Sequence, residues 1–191
     1  TLSSSSAASD VYKRQVYNAK ITHYKIAASY GTSIFYGDFV KWADDNPNTT
    51  IQKDTGTTSM TPIGVFLGVS YTDPSTGQTT FNQYYPASTN ASDIMAYVAS
   101  DPFLIMQMQS DESLTQDDLG KNVAVVQTAG STAVGTSKNA VDGSTAATTN
   151  TLPLKIIDFV EGSDSAIGDS FTDVLVMFNA GHQLLNTTGI G

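Results

Sequence analysis

Apolar and polar positions in this chain recur mostly with a period of two, the pattern of strands with one buried face, and a helical period is hardly seen. Ile21 to Ala27 is a short mixed run. Ile34-Phe-Tyr-Gly-Asp-Phe-Val-Lys-Trp42 carries aromatic and β-branched residues and is broken at Gly37-Asp38, a bulge or turn signal. Asp44 to Asn48 is a turn by composition, and Ile51 precedes a Thr/Gly-rich stretch from Thr55 to Thr61. Pro62 to Tyr71 is the most strand-like segment of the chain. Asp73-Pro-Ser-Thr-Gly77 then turns, and Gln78 to Tyr85 returns, which predicts a hairpin over residues 63–85.

Asp93 to Ala99 alternates Ile94, Ala96 and Val98 against Met95 and Tyr97. Asp101-Pro102 interrupts, Phe103 to Gln109 resumes the alternation, and the two runs predict a second hairpin. Ser113 to Gly120 reads as one helical turn with Ser113 as its N-cap and Gln116 three residues on. Asn122 to Thr128 is a strand. Gly130 to Asn150 is Ser/Thr/Gly/Ala-rich and reads as a long loop with one edge strand around Val141. Leu152 to Val160 and Asp173 to Phe178 are further strands, separated by an acidic loop, and the tail from Leu184 frays. The expected fold is mainly β: a β-barrel or β-sandwich of about nine short strands with long Ser/Thr/Gly-rich loops. The lack of a crossover helix argues against a doubly wound parallel sheet.

Composition narrows the function classes. The 191 residues include 18 acidic and 9 basic side chains, a net charge of -9, with no cysteine and 46 serines and threonines. A disulfide framework and a Cys-based zinc site are therefore excluded. Nucleic acid is not an expected partner, because phosphate binding needs clustered Lys and Arg. No apolar run reaches about 18 residues, so no membrane-spanning helix is expected. Residues 1–15 read as a non-native segment or, alternatively, a disordered N-terminal arm: Thr1 to Ser9 is low-complexity without the apolar core of a signal peptide. Asp10-Val-Tyr-Lys-Arg-Gln15 resembles the translation of a sequencing-library adapter. The genuine chain is then expected to be one β-rich domain over residues 16–191. Without Asp10, Lys13 and Arg14 the counts become 17 acidic and 7 basic, the net charge becomes -10, and the chain has no arginine. A chain without arginine has no bidentate guanidinium clamp for phosphate or carboxylate.

Searches for chemistry return little. The two histidines, His23 and His182, have no Gly-x-Ser-x-Gly elbow to serve, and the phosphate-binding glycine loop is absent. The adjacent carboxylates Asp44/Asp45, Asp111/Glu112 and Asp117/Asp118 lie in polar loops, where neighbouring side chains point apart rather than across a substrate. Glu161, Asp164, Asp169 and Asp173 do not have the spacing of a calcium loop. The expectation is a protein without catalytic, cofactor-binding or metal-binding residues. Aromatic residues are the one unusual cluster: Trp42, Tyr71, Phe81, Tyr84 and Tyr85 fall on or beside two neighbouring strand regions. Trp42, Tyr71, Tyr84 and Tyr85 are the candidate interface, since amphipathic rings are enriched where proteins meet partners. Tyr84 and Tyr85 are consecutive, so on a strand one must face away from the other.

Several segments together resemble a known family. They are Gly37-Asp-Phe-Val-Lys41, Ile63-Gly-Val-Phe-Leu-Gly68, Tyr71-Thr-Asp-Pro-Ser-Thr-Gly-Gln78, Phe81-Asn-Gln-Tyr-Tyr-Pro86, Asp93-Ile-Met-Ala-Tyr-Val98, Asp101-Pro102, Leu154-Lys-Ile156 and Val174-Leu-Val-Met-Phe-Asn179. Most of residues 34–179 is similar to small β-rich capsid decoration, or cement, proteins of marine tailed bacteriophages. The resemblance implies a virion structural protein on the outer surface of the capsid. Its implied partners are the major capsid protein and copies of itself, most plausibly as a trimer. It carries no catalytic motif. A carbohydrate- or receptor-binding β-module of a phage tail is the alternative, motivated by the aromatic cluster.

Overall fold

A computed structural model describes residues 20–44, 49–162 and 165–186. The expected foreign segment 1–15 lies outside the described residues. The fold is mainly β, with eleven strands in two sheets. The first sheet contains β1 (Ile21–Ile26), β2 (Phe39–Trp42), β3 (Thr50–Lys53), β4 (Gly64–Thr72), β5 (Thr79–Asn82) and β6 (Met95–Ala99). The second contains β7 (Ile105–Gln109), β8 (Asn122–Val126), β9 (Ala140–Ala147), β10 (Leu154–Phe159) and β11 (Asp173–Phe178).

The first sheet runs β2-β3-β1-β6-β4-β5, and β2 also pairs with β4. That extra pairing closes β1, β2, β3, β4 and β6 into a five-stranded barrel, with β5 appended to β4. All pairings are antiparallel except β1 with β3. The barrel is filled by Ile26, Ile34, Val40, Ile51, Ile63, Phe66, Val69, Tyr71, Tyr85, Ala96 and Val98.

Closure depends on a close approach. Gly64 pairs with Val40 across the seam, and a methyl group on Gly64 would overlap the Ala99 carbonyl of β6. The run Pro62–Tyr71 is apolar throughout because β4 is buried on both faces. Phe66 points into the barrel, while Val65 and Leu67 face the second sheet. Strict alternation would then turn Val69 and Tyr71 toward the second sheet as well. A bulge between Phe66 and Gly68 resets the phase, so that Val69 and Tyr71 fill the barrel. Gly68 takes a φ of 150°, a backbone geometry that glycine adopts without strain.

The second sheet is antiparallel in the order β7-β11-β10-β8-β9. Its inner face supplies Val123, Val125, Val141, Leu154, Ile156, Val174, Val176 and Phe178. These pack in one cluster with Phe39, Val65 and Ala99 from the outer wall of the barrel. Phe39 and Phe178 meet edge to face at 5.9 Å between ring centroids, a geometry aromatic pairs prefer. The sheet curls until its edges touch at one end, where Ser110 bridges Val141 and the Asp111 amide donates to the Val141 carbonyl at 3.0 Å.

The hairpin over 63–85 forms as β4 and β5. The second expected hairpin does not form. β6 pairs with β1 and β4 inside the barrel, whereas β7 pairs with β11, so Asp101-Pro102 carries the chain from one sheet to the other. The helical turn is a short 3-10 turn at Gln116–Asp118 capped by Thr115, not Ser113, with the Asp118 side chain returning to the Thr115 amide. The segment 130–150 holds a full eight-residue strand, β9. Residues 184–186 do not fray: Leu184 donates to the Pro62 carbonyl at 2.8 Å, and the buried Gln183 donates to the Ile63 carbonyl at 2.9 Å. No described helix is long and apolar enough to cross a membrane.

Two outcomes follow. Gly64→Ala forces the barrel seam apart and is expected to cost at least ~1–3 kcal/mol in denaturant unfolding. Asp93 clamps the end of β4, accepting from the Thr72 amide at 3.1 Å and the Thr72 hydroxyl at 2.6 Å. The hydroxyl bond, then the amide bond, hold its carboxyl below the ordinary value of 3.8. A lowered folded value stabilises above the unfolded value and is lost as pH falls through the folded one. Asp93→Asn should therefore melt earlier than wild type at neutral pH, with the gap closing in strongly acidic buffer.

Candidate functional site: an uncharged groove beside a free strand edge

At its other end the second sheet stays open. β7 and the segment 136–139 run side by side in the direction set by the Ser110–Val141 bridge, and an apolar groove of about 590 Å³ lies between them. All five consecutive residues of β7 line it. Successive side chains of a strand point to opposite faces, so consecutive lining residues mean that the groove follows the strand's edge.

The hydrogen-bond phase of β7 agrees. The Ser110 amide donates to the carbonyl of Thr172, just before the neighbouring strand β11, at 2.8 Å, while the next amide, Asp111, points the other way to Val141. Backbone groups alternate direction along an antiparallel strand. Ile105 and Gln107 therefore aim their amides and carbonyls into the groove, and at Gln109 the same side of the strand meets Val141. Met106 and Met108 turn their side chains into the shared core. The floor is the outer wall of the barrel, Phe39, Val65 and Leu67, and no charged side chain lines the groove. Exposed Tyr36 and Ile105 stand at its rim, 45% and 56% exposed.

A buried ion pair holds the far wall. Asp38 is fully buried and meets the Lys53 ammonium at 2.9 Å. Its carboxylate also accepts from the Phe35 amide at 2.9 Å, the Ser137 hydroxyl at 2.7 Å and the Asn139 amide group at 3.3 Å. Main-chain bonds from Tyr36 to Gly135 and from Ser137 to Tyr36, at 3.0 and 2.8 Å, complete the attachment. Asp54 similarly ties the 54–61 loop, accepting from the amides of Gly56 and Thr61 at 3.0 Å each.

The four aromatic residues expected at an interface do not form one surface. Tyr85 is fully buried and Tyr71 is 7% exposed, both in the barrel core. They have no ring face to offer a partner, because strand alternation and the bulge at Gly68 aim them inward. Burial pushes the Tyr85 phenol up, and its hydroxyl donates to the Tyr30 carbonyl at 3.1 Å. Trp42 is half-buried and meets Tyr24 edge to face at 5.2 Å. Tyr84 is half-buried and stacks on Phe35 at 5.4 Å, an interplanar angle of 15°.

The remaining candidates sit apart. The His182 ring nitrogens face the carbonyls of Met60 and Asn150 at 3.2 and 3.0 Å, and His23 packs edge to face on Tyr97. Among the described residues no group of three acidic, His or Cys side chains is placed to hold a metal, and Asp164 lies outside them. Sequence reading missed the groove, since pairing β6 with β7 leaves β7 no free edge. The uncharged stretch Pro102 to Ser110 was the available signal. Comparison with protein-family models, curated proteins and solved structures finds no match to this chain.

Asp38→Ala leaves the Lys53 ammonium buried without its counter-ion, which costs about 3–5 kcal/mol. The variant should show that loss in denaturant unfolding, with hydrogen exchange speeding up first at residues 135–139.

Proposed function

We propose that this chain is a virion structural protein, a decoration or cement protein that binds the outside of the major capsid protein shell and stabilises it. The observation that carries the reading is the uncharged, apolar groove beside a free strand edge. Charged residues are depleted from the cores of protein interfaces, and a free edge offers main-chain hydrogen bonds to a neighbouring subunit of a shell layer. The resemblance of residues 34–179 to phage decoration proteins supports it. Copies joined to one another, a trimer in the family pattern, would engage neighbouring shell subunits together. Such linkage raises avidity by about 10²–10⁴ over a single contact. The alternative, a carbohydrate- or receptor-binding module of a phage tail, lacks a continuous aromatic platform once Tyr71 and Tyr85 are placed in the core.

The test is co-sedimentation of the purified chain with capsid shells that lack it. The reading predicts saturation at a fixed ratio to the capsid protein and a higher melting temperature of the decorated shell. Recovery only in tail fractions of the virion, or at a copy number far below that of the capsid protein, contradicts it.

A further inference from the structure

Closing the barrel still leaves several described strand edges not fully paired, among them β5, β7, the start of β1 and part of β9. An unpaired edge is a template for another strand. The β7 edge opens into the groove from Ile105 to Met108, where no described strand pairs with it, and the bridge to Val141 takes over at Gln109. At about 3.4 Å per residue, four residues give a seat about 14 Å long.

Charge and apolar exposure together narrow the occupant. The seat is uncharged from Pro102 to Ser110, and Asp101 and Asp111 bound its ends, so an acidic strand is repelled there. This chain carries a net charge of -9, which keeps its copies apart over most surfaces. β5 is the exception. It lies in an uncharged stretch from Pro74 to Ser92, whereas β9 carries Asp142. The Asp73 amide donates to the Gln78 carbonyl at 2.9 Å, which fixes the phase of β5 and turns the main-chain groups of Thr79 and Phe81 outward. Phe81 on that edge is 71% exposed, the most exposed large apolar side chain of the described residues.

We infer that the chain binds a second copy of itself head to tail, with the β5 edge and Phe81 of one copy seated in the groove beside β7 of the next. The contact uses two different surfaces, so it continues from copy to copy until a ring closes. It deepens the self-association within the proposed function, and shell binding is measured separately by co-sedimentation.

Sedimentation velocity of the full chain over a concentration series tests it. Wild type should form species larger than a monomer. Phe81→Lys removes the strand anchor, and Gln107→Pro removes an amide that faces the groove, not one that bonds β11. Each should raise the dissociation constant at least about tenfold, the loss typical of a central interface residue. Ile105→Lys is a second groove variant should the proline disturb folding, which circular dichroism reports. The decisive arm mixes Phe81→Lys with Gln107→Pro. One variant keeps a groove and the other keeps a strand, so the mixture should give a 1:1 dimer that grows no further. A wild type that stays monomeric overturns the inference and leaves the groove to a strand of another protein. Variants that associate like wild type, or a mixture that stays monomeric, also overturn it.

Discussion

Burial of one wall on both faces is the constraint on which the rest of this structure depends. β2 and β4 close the barrel and also form the surface on which the second sheet packs. Val40 and Phe66 face inward while Phe39 and Val65 face outward, and all four are buried. Each such side chain contributes about 1.5–3 kcal/mol by leaving water. Neither sheet can therefore be removed without exposing the core of the other. The bulge at Gly68 makes this possible in one nine-residue strand, because it switches which parity faces the barrel.

The polar interior serves the same end. Asp38, Asp54 and Gln183 are buried, yet each holds a loop or the C-terminal segment to the strands through named hydrogen bonds. Burying a charge is costly unless it is paired and hydrogen-bonded, and Asp38 meets that condition with four partners. The effect is to fix the 136–139 wall at a set distance from β7. A groove held open in this way loses little conformational entropy when a strand enters it.

Local structure was legible in the sequence where neighbours in the chain are neighbours in space. The β4–β5 hairpin could be read because its turn, Asp73 to Gly77, lies between two apolar runs. β11 could be read from Asp173 to Phe178. Non-local pairings could not. Met95–Ala99 and Ile105–Gln109 have the same period and a turn-like Asp101-Pro102 between them, and nothing local says that they belong to different sheets. β9 was seen only around Val141, because that residue is its one buried apolar side chain. The aromatic cluster is not one surface for a related reason: sequence shows which rings are close along the chain, while the bulge at Gly68 turns Tyr71 inward and the bridge to Ile34 seats Tyr85 in the barrel. The groove was invisible because a free edge is a property of the whole strand order.

The proposed function is one of contact: a rigid β-scaffold with an uncharged seat that would dock and join copies on a shell. A three-dimensional reconstruction of virions assembled with this chain tests that most directly. The account predicts density for the fold in ordered copies on the outer face of the capsid, with the β7 edge covered. Density confined to the tail, or a shell bare of this fold, would contradict it.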